Sequence, residues 1–125
     1  MEQKGFRHVD HVRLGFEMLD RYPFAEALAR FTTGLKLLAA KAGSPDLYNE
    51  TITVAFLAVI GERLASNQTT WSEFIHANPD LLDKHLLEAW YDPVRLNSDI
   101  SRRTFCLPNP PRRDAVPRKS EVLGR

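Results

Sequence analysis

The feature that most constrains this fold is a run of apolar residues near the middle of the chain, ITVAFLAVI, at positions 52–60. Thr53 is the only polar residue within it. Successive side chains of an α-helix are about 100° apart, so these side chains would point in every direction. A helix that is apolar on all sides has to be covered on all sides. The run therefore predicts the central helix of a small bundle.

The length and composition predict one hydrophobic core. A chain of 125 residues, 43% of them apolar, is long enough for one core and too short for two. No strand-like alternation of useful length and no internal repeat is present. We therefore expect an all-α, single-domain helical bundle with a central apolar helix, made of about four to six helices.

Two amphipathic helices are predicted before the central one. In the first, at about residues 6–20, Val9, Val12, Phe16 and Leu19 repeat at helical spacing. The second begins at Pro23 and carries one apolar stripe, formed by Phe24, Leu28, Phe31, Leu35, Leu38, Ala39 and Ala42. Gly43 is predicted to end it in a left-handed conformation, and Ser44-Pro45 to begin the third helix, at about residues 45–65.

Shorter helices are predicted in the second half. Thr70 with Glu73 is typical of a capping box that begins the helix WSEFIHA. Residues 79–91 are predicted as a further helix, whose buried side is formed by Leu82, Leu86, Ala89 and Trp90. Ser98 is predicted to cap the last helix. We expect the bundle domain at residues 1–106, followed by a basic tail at 107–125.

The tail has the composition of a disordered segment. Beyond Leu107 it contains four prolines and five basic residues against two acidic ones, with few apolar side chains to bury. The alternative is a basic peptide that docks on a partner or a second subunit.

Charge and motifs exclude several classes of function. Lysine and arginine number 17 against 16 acidic residues, so no net charge favours binding to nucleic acid or to an anionic membrane. No segment reaches the ~20 apolar residues of a membrane span, and no signal-peptide pattern opens the chain, so we expect a cytoplasmic location. Phosphate-binding glycine loops, paired CxxC, HExxH and GxSxG motifs are absent, which argues against nucleotide hydrolysis and serine-type acyl transfer.

Two polar clusters remain as candidates for a functional site. His8 and His11 are three residues apart on the predicted first helix, so both could bind one metal ion or one ligand. The second cluster, YNETIT at positions 48–53, begins the most apolar helix in the chain. The alternatives are histidines that form hydrogen bonds within the core and polar residues that only initiate a helix.

We predict that these clusters share a polar pocket between the first and third helices, uncovered because Gly15 lacks a side chain. His8, His11 and Tyr48 are the candidate catalytic residues, and the two histidines are also the candidate metal ligands. The candidate ligand-binding or orienting residues are Asn49, Glu50, Thr53 and Asp10. A divalent ion such as zinc or iron would polarise a bound water molecule or a small substrate; without one, the histidines would act as acid and base on a small organic ligand.

The motifs HVDHVRL and NETIT, followed by an apolar helix and ER, resemble a family of small bacterial all-helical proteins without an established activity. The likeness covers roughly residues 6–110. Members commonly have histidine directly before ETIT, where this chain has Asn49. The resemblance implies a functional pocket, and three converging histidines would suit a catalytic metal better than two histidines and an asparagine.

The main alternative to a small-molecule site is a non-catalytic structural or interaction domain. In that interpretation exposed apolar residues such as Leu14 or Trp71 contact another protein or a second copy of the chain. A homo-oligomer is therefore one of the two alternatives for such an interface. Of the adjacent charges Glu62 and Arg63, we expect one to pair with the first helix or with Arg102 and Arg103.

Overall fold

Helices form the regular structure of residues 7–65 and 68–109, the parts of the chain that the computed structural model describes. The α-helices are α1 (His8–Arg21), α2 (Phe24–Lys41), α3 (Glu50–Leu64), α4 (Trp71–Ala77), α5 (Pro93–Leu96) and α6 (Asp99–Arg103), and 3₁₀ turns occur at Pro45–Leu47, Pro79–Leu82 and Leu86–Ala89. This confirms the predicted all-α bundle. Within these ranges no helix is long and apolar enough to cross a lipid bilayer.

Helix α3 is the centre of the bundle, as its apolar sequence predicts. It contacts α1, α2, α6 and the 3₁₀ turn Leu86–Ala89. Leu57 and Ile60 are 0% and 1% exposed, and Phe56 is also buried. Burying one such side chain stabilises the fold by about 1.5–3 kcal/mol relative to leaving it in water.

The third helix begins later than predicted, at Glu50 rather than near residue 45. Gly43 does end α2 with a left-handed φ of 77°. Pro45 then begins only a 3₁₀ turn, and Tyr48 is extended. Asn49 is the N-cap of α3, because its Oδ1 accepts the N–H of Ile52 at 2.9 Å.

The predicted helix at residues 79–91 is wrong, since two separate 3₁₀ turns occupy this stretch. Asp83 Oδ1 accepts the N–H of His85 at 2.9 Å, and this local bond replaces a helical one. The buried residues therefore differ from those predicted. Leu81 and Leu87 are buried, whereas Leu82 and Trp90 are 44% and 47% exposed.

The N-caps of the two short helices α4 and α6 are the residues that the sequence predicts. Thr70 and Glu73 form the capping box of α4, and Ser98 accepts the N–H of Ser101 at the start of α6. After Cys106 the chain remains in contact with the bundle, because Arg95 Nε donates to the carbonyl oxygen of Leu107 at 3.0 Å. Residues 110–125 lie outside the described ranges, so the disorder of the tail stays a prediction.

Arg63 pairs with a different partner from those expected. Its two terminal nitrogens donate to the carboxylate oxygens of Asp80 at 2.6 and 2.9 Å. Asp80 belongs to the 3₁₀ turn Pro79–Leu82, which brings it to the C-terminal end of α3. The ion pair between Arg63 and Asp80 holds this turn against the central helix, whereas the expected partner was α1 or the Arg102–Arg103 pair.

Candidate functional site

A cavity of about 710 Å³ lies between α1, α2 and the beginning of α3. Its volume is in the range of natural small-molecule sites. One wall is the C-terminal half of α2. The lining residues from α2 are Phe31, Leu35, Leu38, Ala39 and Lys41, and Ala42, the C-cap of the helix, follows them.

Five of the residues singled out from the sequence line this cavity together: His8, His11, Tyr48, Asn49 and Thr53. They come from α1, from the extended residues before α3 and from the first turn of α3. Glu50 and Asp10 are not among the lining residues. Helix α1 and the start of α3 thus supply a polar end opposite the apolar wall of α2.

The imidazole of His8 is held by two contacts. Its Nε2 lies 3.0 Å from the carbonyl oxygen of Leu81, to which it must donate a proton because a carbonyl can only accept. The ring also meets Phe56 edge to face, with centroids 5.1 Å apart. Nε2 is therefore occupied as a donor to the backbone, and this bond fixes the orientation of the ring.

The possible metal ligands can be compared only within the part of the chain that the structure describes. Among residues 7–65 and 68–109, no group of three or more histidine, cysteine or acidic side chains is arranged to hold a metal ion. Stable zinc sites use at least three protein ligands.

Tyr48 is a neutral phenol in this environment. Its hydroxyl donates to Glu50 Oε1 at 2.7 Å, and the ammonium group of Lys36 lies 5.4 Å from the ring centroid. Burial, followed by the hydrogen bond to the Glu50 carboxylate, raises the pKa of Tyr48 well above its usual value, while the Thr53 hydroxyl opposes this effect. Tyr48 is suited to accept a hydrogen bond from a ligand and unsuited to act as a base.

Asn49 has its polar atoms engaged within the protein. Besides capping α3, Oδ1 accepts from Ser101 Oγ at 3.2 Å, and Nδ2 donates to the carbonyl oxygen of Leu96 at 2.7 Å. The side chain therefore joins α3 to α5 and α6. Its contribution to the cavity is to shape the wall.

Asp10 and Gly15 have roles other than those expected. Asp10 accepts the N–H of Arg7 at 2.8 Å and so caps the start of α1. Gly15 does not leave open space over the histidines. A Cβ atom there would be 3.0 Å from Ile60 Cδ1 and 3.2 Å from Leu57 Cδ1, so this glycine allows α1 to pack closely on α3.

The apolar residues proposed for a protein interface are partly covered. Leu14 and Trp71 are both half-buried. Trp71 packs edge to face on Phe16 with centroids 5.6 Å apart, and the Arg13 guanidinium lies 5.6 Å from its ring centroid. Trp71 therefore belongs to the packing of α1 against α4.

Sequence reasoning missed the charged residues that line the cavity, which are Lys41, Lys84, His85 and Glu88. Lys41 lies between Ala39 and Ala42, the last two residues of the apolar stripe of α2, and this position was the available signal. The other three belong to the region that was predicted as one continuous helix. Because that region forms turns, Lys84, His85 and Glu88 reach the cavity, and His85 Nδ1 lies 3.1 Å from Glu88 Oε2.

Comparison of the chain with protein-family models, curated proteins and solved structures finds no match, so the site has to be interpreted from its own geometry.

Proposed function

We propose that this protein binds a small organic molecule in the cavity between α1, α2 and α3, with its polar end at His8, His11 and Tyr48. The observation that carries this proposal is the apolar surface of the C-terminal half of α2, where Leu35, Leu38 and Ala39 line a cavity of about 710 Å³. Apolar surface facing water is unfavourable, and a ligand would cover it. The cytoplasmic location and the family resemblance remain part of this proposal.

The polar end supports recognition of one functional group on such a ligand. Tyr48 can accept a hydrogen bond, and His8 has a ring orientation set by Leu81. Acid–base catalysis would require the second nitrogen of His8 or the imidazole of His11. The proposed ligand is organic rather than a divalent metal, because hydrocarbon would cover the apolar wall of α2 and an ion would not.

The test is binding of N-phenyl-1-naphthylamine, a neutral fluorophore that brightens in apolar surroundings. The blocking variant is Ala39→Phe, which adds a ring inside the cavity. The matched control is Ala40→Phe, since the next residue is exposed and does not line the cavity. We expect saturable binding by the wild type and by Ala40→Phe, and loss of it in Ala39→Phe. Equal binding by both variants would place the probe elsewhere and refute the proposal.

A further inference from the structure

We infer that the ligand of this cavity is a small organic anion, a carboxylic acid with an apolar body. This inference rests on the proposed function and adds the chemical class of the ligand. It is drawn from the charges that line the cavity. Lys41 and Lys84 contribute two permanent positive charges, and Glu88 contributes the one carboxylate among the described lining residues.

The negative charge of Glu88 already has a partner. Its Oε2 lies 3.1 Å from His85 Nδ1, which can donate a proton to it. Neither Lys41 nor Lys84 has a carboxylate within salt-bridge distance in the described part of the chain. An anion in the cavity would therefore meet two lysines whose charge is not neutralised by a neighbouring acid.

Acidic groups close to the cavity are directed elsewhere. Glu50 accepts the hydroxyl proton of Tyr48, and Asp10 accepts the N–H of Arg7. A cationic ligand would therefore find no unengaged carboxylate among these groups. This asymmetry favours a negative ligand over a positive one, although the protein as a whole carries a formal charge of only +1.

The apolar wall defines the rest of the ligand. Leu35, Leu38 and Ala39 present hydrocarbon surface, so the body of the molecule has to be apolar to gain from burial. Sites of this volume hold molecules of drug-like size. Free inorganic anions and phosphorylated sugars lack the apolar surface that this wall would bury.

Three probes with the same apolar body test the charge: 2-naphthoate, 2-naphthylmethanol and 2-naphthylmethylammonium. We expect the wild-type protein to bind naphthoate about tenfold more tightly than the alcohol and the ammonium compound most weakly. The preference for naphthoate should shrink as salt is added, because exposed charges are screened. Isothermal titration calorimetry measures all three affinities.

A pair of double variants tests the lysines. We expect Lys41→Gln/Lys84→Gln to lose about tenfold in affinity for naphthoate and to bind the alcohol as the wild type does. Arg21→Gln/Arg103→Gln removes the same charge at exposed positions away from the cavity and should bind both probes normally.

The outcomes separate this inference from the proposed function. Equal affinity for acid and alcohol, with both blocked by Ala39→Phe, would overturn the anion class and leave the cavity as a binding site. Unchanged naphthoate binding by Lys41→Gln/Lys84→Gln would also overturn it. Failure of every probe to bind in a way that Ala39→Phe blocks would refute both proposals.

Discussion

Asn49 connects three parts of the bundle through one amide group. It caps α3 at Ile52, accepts a hydrogen bond from Ser101 and donates one to Leu96. A neutral histidine at this position would offer one donor and one acceptor nitrogen. It could not make all three bonds. Asn49 is therefore committed to structure.

Metal content provides a test at the residue scale. We expect purified wild-type protein and the His8→Ala/His11→Ala variant to contain equally little zinc and iron, because the described residues include no group of three or more side chains arranged to hold a metal ion. Elemental analysis of both proteins, with melting curves before and after treatment with a chelator, measures this. One equivalent of metal in the wild type that disappears in the variant would contradict it.

Tyr48 predicts a dependence of stability on alkaline pH. Its pKa is raised by burial and by Glu50, so the folded state keeps the phenolic proton at a pH where the unfolded chain loses it. The resulting stability is fully present below the usual tyrosine pKa of about 10 and declines as the pH rises above that value.

We therefore expect Tyr48→Phe to lose stability less steeply than the wild type above about pH 10. At neutral pH the variant should lose about 0.5–1.5 kcal/mol, because the hydrogen bond to Glu50 is gone. Urea unfolding over a range of pH measures both effects. Parallel curves for the two proteins would show that Tyr48 ionises as it does in the unfolded chain.

At the scale of elements, the bundle depends on how closely α1 and α2 approach α3. Gly15 brings α1 against Leu57 and Ile60, whereas the C-terminal half of α2 is separated from the core by the cavity. Both helices are amphipathic, and the cavity is lined by the N-terminal half of α1 and by the C-terminal half of α2. Close approach by one helix and separation of the other leave room for a ligand within a well-packed bundle.

Replacing glycine by alanine at two positions tests the close approach of α1. In Gly15→Ala the new methyl group would press on Ile60 and Leu57, and we expect a loss of about 1–3 kcal/mol, less the gain in helix propensity. Gly34→Ala is the control, because a Cβ atom in α2 would meet nothing within 4 Å.

Gly34→Ala should gain about 0.5–1 kcal/mol from helix propensity alone. Chemical denaturation of the two variants gives the comparison. Stabilisation by both substitutions to the same extent would mean that α1 can move away from α3 without loss.

The position of α3 predicts the cost of truncating its side chains. Phe56 is 7% exposed and contacts the His8 ring, so we expect Phe56→Ala to lose about 3–5 kcal/mol of unfolding free energy. Val94→Ala is the control, since Val94 is 79% exposed and should change stability by less than about 0.5 kcal/mol. A loss below about 1 kcal/mol for Phe56→Ala would contradict the central position of this helix.

At the scale of the whole molecule, the last described residues are attached to the central helix by buried polar groups. Thr51 Oγ1 donates to the carbonyl oxygen of Thr104 at 2.8 Å and accepts the N–H of Cys106 at 2.9 Å. Tyr91 donates its hydroxyl proton to the carbonyl oxygen of Cys106 at 2.8 Å. The two bonds of Thr51 join residues that are more than 50 positions apart in the sequence. Together with the bond of Tyr91, they hold residues 104–106 against the start of α3.

Removal of residues 112–125 tests where the folded domain ends. We expect the melting temperature and the helical circular dichroism signal to change little, because this segment has no apolar periodicity with which to pack. Both can be measured beside the size of the particle in solution by light scattering. A large fall in melting temperature, or a change in oligomeric state, would show that the segment docks on the bundle or on a second copy.

The sequence by itself determined the features that depend on neighbouring residues. The apolar run at positions 52–60 identified the central helix, Gly43 identified the end of α2, and Thr70 and Ser98 identified helix starts. In each case the residues that form the pattern lie within about one or two helical turns of the feature that they predict. It also singled out His8, His11, Tyr48 and Thr53, which the structure places at one cavity.

Tertiary structure decided the features that depend on distant partners. His8 meets the carbonyl oxygen of Leu81, 73 residues away, and Asn49 meets that of Leu96, 47 residues away. Periodicity carries no information about such pairings. It could not show that side chains of α3 fill the space beside Gly15, or that the region after Asn78 folds as turns. The cavity is decided in the same way, because its volume depends on the separation of α2 from α3, and that separation is set by packing across the whole bundle.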